Sequence, residues 1–116
     1  RETLKLEVDR ILKQYDETGR TLAVWGASHQ GFTLAATTKL GEKARYIIDS
    51  APFKQGKFAP ASHLPIVGPD HFHEHPVDAI IITAPGYTDE IAASIRQKFG
   101  TAVEIRAMRS NHLEMV

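Results

Sequence analysis

The sequence predicts one α/β domain built on a parallel sheet with helices on both faces. Three observations lead there. Short apolar runs of strand length alternate with stretches of helical periodicity, the pattern of repeated strand–helix–strand units. Glycines stand where strands turn into helices and where helices stop. The 116 residues suit a single core, since domains usually hold about 100–150 residues.

The first element is a helix over Glu2–Glu17. Leu4, Val8, Ile11, Leu12 and Tyr15 recur at spacings of three and four and form one apolar stripe. Gly19 is placed to end it. This helix lies outside the sheet repeat. Residues 1–19 therefore read as a linker to an upstream domain or as a packing element, with the sheet domain over 20–116. Thr21–Trp25 is an apolar run expected to be a strand buried on both faces. After a turn rich in glycine, serine and histidine, Phe32–Leu40 is compatible with a helix ending before Gly41. Ala44–Ile48 is a second strand and stops at Asp49. Pro52, Gly56 and Pro60 break all periodicity between Ser50 and Ser62, so that stretch reads as a loop. Ile66-Val67 is a minimal third strand, and Pro69-Asp70 opens a short helix. Val77–Thr83, centred on Ile80, Ile81 and Ile82, is the clearest strand. Pro85-Gly86-Tyr87 is a turn. Thr88–Phe99 is a helix capped by Thr88, with Asp89 and Glu90 at its positive end and Arg96 and Lys98 at its negative end. Gly100 stops it, and Ala102–Ala107 is a fifth strand.

Right-handed crossovers leave few ways to order these strands. The expected sheet has five parallel strands in the order 3-2-1-4-5, a Rossmann-like three-layer αβα domain. Ligands of such sheets bind beyond the carboxyl ends of the strands, at the switch point between the first and fourth. That rule selects three loops: Gly26–Gly31, Ser50–Lys57 and Ala84–Thr88.

Composition removes several classes of function. Fourteen basic residues balance fourteen acidic ones, so no net field draws nucleic acid or an anionic membrane as partner. There is no cysteine, which excludes disulfides, thiolate metal sites and a cysteine nucleophile and fits a reducing, cytoplasmic setting. No apolar run approaches the roughly 20 residues of a membrane helix. The chain opens on Arg1, as expected of a domain cut from a longer protein.

The first loop reads G-x-S-x-x-G through Gly26, Ser28 and Gly31. It resembles the dinucleotide fingerprint G-x-G-x-x-G, with Ser28 in place of the middle glycine. Gly26 permits a tight turn and Gly31 close helix packing, while the following helix offers free amides to an anion. His29 and Gln30 add donors there. Equally, the turn is how any strand of this kind becomes a helix. Asp49 follows Gly26 at the separation, about 20 residues, where an acidic residue holds ribose hydroxyls; it also suits the turn toward Pro52. Lys54 and Lys57 in the second loop can meet a phosphate or simply be solvated. His71-Phe72-His73-Glu74-His75 invites a metal reading, but helix residues two apart do not face each other, and zinc needs ligands converging from a fixed frame. No catalytic constellation is present: Gly31 comes one residue too late for a serine elbow, and there is no Walker loop.

Three segments carry a resemblance. They are Val24-Trp25-Gly26-Ala27-Ser28-x-x-Gly31; Ile48-Asp49-x-x-Pro52-x-Lys54-Gln55-Gly56-Lys57 with Pro60-x-Ser62-His63-Leu64-Pro65-Ile66; and Ala84-x-x-Tyr87-x-Asp89-Glu90-Ile91. In that order the chain resembles the C-terminal domain of the S-adenosylmethionine-dependent sugar C-methyltransferases, over about Thr21 to Ile105. The resemblance implies a parent enzyme with a zinc-binding domain, a central methyltransferase domain that holds S-adenosylmethionine and the catalytic base, and this third domain. The third domain would hold a nucleotide-linked deoxysugar without catalysing by itself and without a cofactor or metal of its own. The upstream methyltransferase domain and the nucleotide-sugar are its implied partners. The residues expected to bind substrate are Gly26, Ala27, Ser28, His29, Gln30 and Gly31; Asp49, Lys54, Gln55 and Gly56; and Pro85, Gly86 and Tyr87. Gln30, Phe32 and Pro85-Gly86 depart from the family's usual lysine, asparagine and Trp-Asn. They bear on which sugar or carrier is held. Two other readings stay open on residues alone: a free-standing NAD(P)-type dinucleotide module, and a structural or dimerising domain.

Overall fold

The computed structural model describes residues 3–109 and 112–116. The first helix, α1, spans Leu4–Glu17 and starts where the Thr3 side chain accepts the Leu6 amide at 3.3 Å. It ends as the sequence predicts. Gly19 takes φ +68°, its amide donates to the Asp16 carbonyl and the Arg20 amide to the Tyr15 carbonyl, the paired bonds of a Schellman turn.

The elements then follow in the order β1 (Leu22–Trp25), α2 (His29–Thr37), α3 (Leu40–Lys43), β2 (Ile47–Ile48), a 3₁₀ turn at Pro52–Lys54, β3 (Ile66–Val67), α4 (His71–Glu74), β4 (Ala79–Ile82), α5 (Thr88–Phe99), β5 (Glu104–Arg109) and β6 (His112–Met115). The sheet has six strands in the order β3-β2-β1-β4-β5-β6. The first five are parallel, with Val24 beside Ile47 and Ile81. The expected 3-2-1-4-5 core is present. The expectation of five strands is corrected by an antiparallel edge strand, in which Leu113 faces Met108.

Alternation along the strands divides the core into two layers. Val24, Ile47 and Ile81 face α1, α2 and α3, where they meet Val8, Ile11, Leu12, Leu34 and Leu40. Ala23, Trp25, Ile48, Ile80 and Ile82 face α4 and α5 and meet Phe72, Ala92 and Ile95. Ile80, Ile81 and Ile82 are wholly buried, and each contributes about 2 kcal/mol by leaving water. The α1 stripe thus belongs to the same core as the sheet.

A polar bridge fixes the end of α1 to β5. The Tyr15 hydroxyl donates to Glu104, which also pairs with Arg20 and Arg106 at 3.0 Å each. Burial, then the carboxylate beside it, pushes the Tyr15 phenol up to about 12. Burial works against the charge on Glu104, but the Tyr15 hydroxyl and the two arginines outweigh it and hold its carboxyl below the usual range.

Two local expectations are corrected. α2 begins at His29, three residues before Phe32, because Ser28 already has the extended backbone of an N-cap. Thr88 is the first residue of α5 and is buried. The N-cap is Tyr87, with no side-chain cap bond. Among the described residues no helix is long and apolar enough to cross a membrane.

Candidate functional site

The loops after β1, β2, β3 and β4 meet at the carboxyl ends of the strands, where β1 and β4 are neighbours. A cleft of about 400 Å³ opens there. Gly26, Asp49 and Tyr87, all singled out from sequence, line it together with Trp25, Ser50, Pro69, Ala84 and one face of α5: Glu90, Ile91, Ser94 and Lys98. Those α5 residues recur every three or four positions and so share one side of the helix.

The β1–α2 turn is locked from below by a residue no motif pointed to. Thr83 is wholly buried at the end of β4. Its hydroxyl lies 3.3 Å from both the Trp25 and Gly26 carbonyls. A methyl group on Gly26 would come within 2.7 Å of that hydroxyl, and one on Gly31 within 2.4 Å of the Gly26 carbonyl oxygen. Gly26 also holds φ +133°, which L side chains avoid. Both glycines are therefore required by the packing of α2 on the turn.

Asp49 closes the turn from the side. One carboxylate oxygen accepts the Ala27 amide at 3.0 Å and lies 3.7 Å from the Lys54 ammonium. The other accepts the Ala51 amide at 2.9 Å. Lys54 also donates to the Ala27 carbonyl at 2.9 Å, and Gln55 to the Asp49 carbonyl at 2.9 Å. The Gly56 amide donates to Ile66 in β3, with Gly56 at φ +83°. The residues of the second loop therefore knit it to the first. The two Asp49 oxygens carry about four acceptor sites, and the Ala27 and Ala51 amides take one on each oxygen.

The remaining expected residues are distributed elsewhere. Ala27 is buried. Ser28 makes no side-chain cap bond, which leaves its hydroxyl out of the helix start. His29 and Gln30 do not line the cleft. They line a separate groove between α1 and α2, with Thr33, Leu34 and Met108. Pro85 and Gly86 are exposed, and Tyr87 keeps 62% of its surface free at the cleft mouth. The structure thus brings Gly26, Asp49 and Tyr87 together and sends His29 and Gln30 to another face. Sequence reasoning missed the α5 wall. Its signal was the run Glu90, Ile91, Ser94 and Lys98, which flanks the Ala92 and Ile95 core stripe of the Thr88–Phe99 helix.

The histidine run is also divided. His71 and His75 stack at 4.7 Å, while His73 turns edge-on to Phe72 and Phe99. Among the described residues no three metal-binding side chains gather.

With this geometry, comparison with known proteins decides the family. The C-methyltransferase C-terminal domain family matches residues 2–104. The chain belongs to that family. The match includes all of α1, consistent with its place in the core. The C-methyltransferase NovU of Streptomyces niveus is 31% identical over 91 residues, 78% of this chain and 22% of that protein. The chain therefore spans less than a quarter of that relative's length. Among solved structures, UDP-D-quinovosamine 4-dehydrogenase from Vibrio fischeri superposes with a TM-score of 0.65 at 16% identity, covering 84% of this chain and 93% of that one. At that identity the likeness speaks for the Rossmann-like fold alone.

Proposed function

We propose that this chain is the substrate-holding domain of a C-methyltransferase that acts on a nucleotide-linked deoxysugar, and that it does not catalyse by itself. The observation that carries this reading is the cleft at the β1/β4 switch point of a chain belonging to the C-methyltransferase C-terminal domain family. Its wall is polar and mixed in charge, with Asp49, Glu90, Ser94 and Lys98, and its mouth carries the exposed ring of Tyr87. An aromatic ring with a few placed polar groups suits a base and a hydroxyl-rich sugar.

On this reading S-adenosylmethionine, bound to an upstream catalytic domain in a cytoplasmic enzyme, supplies the methyl group. The residues of this chain bind and orient. Tyr87 offers its ring to the base, Glu90 and Ser94 accept from or donate to hydroxyls, and Lys98 meets negative charge. The dinucleotide reading has less support, because Ser28 stands where that fingerprint has its middle glycine.

The test is a titration of the chain with a nucleoside diphosphate, followed by amide shifts. Shifts at Gly26, Asp49, Tyr87 and Glu90 are expected. Shifts confined to the amino ends of the strands, or none at all, would sink the proposal.

A further inference from the structure

A second hollow, of about 420 Å³, lies at the opposite end of the sheet, beside the amino ends of β1, β2 and β4. Its polar walls are Thr21, Arg45, Tyr46, His71 and His75. No carboxylate lines it. Among the described residues no carboxylate forms an ion pair with Arg45, His71 or His75. Two imidazoles stacked at 4.7 Å face a guanidinium across one concavity, and the Tyr46 ring stands edge-on to His71 at 4.7 Å. The Tyr46 hydroxyl donates to the His75 carbonyl at 2.5 Å, which fixes the end of α4 and with it the histidine pair.

The charged groups nearby are otherwise occupied. Asp78 accepts from the Thr21 amide and hydroxyl, and Arg20 is paired with Glu104. His73 turns to the phenylalanine rings, and Lys98 of α5 lines the carboxyl-end cleft. Asp70 and Glu74 stand on or beside α4 but do not line the hollow.

Arg45 gives this wall a permanent positive charge, and each imidazole, once protonated, offers a donor on both ring nitrogens to an anion. Stacked imidazoles tolerate two positive charges poorly unless a counter-charge lies beside them. Anion binding and histidine protonation are therefore linked, each favouring the other. The volume exceeds what a bare oxyanion fills and suits a small organic ligand. We infer that Arg45, His71 and His75 form a site for the phosphoryl group of a small phosphate ester, taken up with a proton.

Sulfate is the direct probe, because its charge is constant over the range where histidine titrates, about pH 5 to 8. Added to the 116-residue chain, it should move the His71 and His75 imidazole resonances together and leave His73 still. Its affinity should be about tenfold higher near pH 6 than near pH 7.5, the sign expected when an anion binds with a proton. Arg45→Gln, at an exposed position, should weaken binding about tenfold without unfolding the chain. Glycerol phosphate should compete for the same resonances. Silent histidines, equal affinity at both pH values, an unaffected Arg45→Gln variant, or a failure of glycerol phosphate to compete would each overturn the inference. So would zinc ions moving the pair where sulfate does not.

Discussion

The two turns that flank the switch point are built in opposite ways. The β1–α2 turn is held on every side: Thr83 beneath it, Asp49 and Lys54 beside it, and Gly31 against its own carbonyl. The β4–α5 turn is held by little. Pro85, Gly86 and Tyr87 are exposed, a methyl group on Gly86 would meet nothing within 4 Å, and α5 starts without a side-chain cap. Both turns carry glycine and both end a buried strand, yet one is held by the groups around it and the other stands open to solvent. A glycine-rich turn at a switch point therefore does not by itself mark the binding element. The two turns differ in how far the polar groups around them are engaged by the protein.

This contrast is broken most directly at Gly31. Gly31→Ala drives a methyl group into a backbone oxygen that cannot swing aside, so the loss should reach about 3 kcal/mol. Urea denaturation measures it. A loss under about 0.5 kcal/mol, the scale of a neutral surface change, would mean the turn is not locked as described. Asp49→Ala comes next. It leaves the Ala27 and Ala51 amides without their acceptors and removes the charge facing Lys54, for a loss of about 2 kcal/mol. Thermal melts of the variant should show it without any ligand. If Asp49→Ala left stability intact and changed only ligand affinity, the carboxylate would belong to the site and the knitting of the two loops would be incidental. Gly86→Ala should cost about 1 kcal/mol, because φ +87° is a left-handed conformation but the space around it is open. A cost as large as at Gly31 would erase the difference between the turns.

Much of this arrangement was legible in the residues. The buried strands were plain because β1 and β4 face protein on both sides, and such strands read as unbroken apolar runs. The strand order followed from right-handed crossovers. β6 escaped notice because His112-Leu113-Glu114-Met115 is short and buries little on one face, and its pairing with β5 is a matter of register rather than composition. Ser110 and Asn111, between the two strands, lie outside the described residues. Within the site, Gly26, Asp49 and Tyr87 were found by topology and motif together. His29 and Gln30 were grouped with them because they are adjacent in sequence. Once α2 starts at His29, helical rotation carries their side chains toward α1. Thr83 had no signal at all, since a threonine at the end of an isoleucine run reads as one more strand residue. Its role appears only when two chain segments far apart in sequence are brought together.

The smallest effect on the fold, and the most telling about the site, is expected at Tyr87. Its ring is largely exposed and packs on little of the core, so Tyr87→Ala should change stability by under about 0.5 kcal/mol. Affinity for a nucleoside diphosphate should fall about tenfold, within the range of one lost base–aromatic stack. Tyr87→Phe then separates ring from hydroxyl. Affinity that survives in the phenylalanine variant places the contribution in stacking, whereas affinity lost equally in both assigns it to the hydroxyl and to the phosphate or sugar. If neither variant altered binding while Lys54→Gln did, the locked turn would be the ligand's contact after all, and the open turn merely a loop.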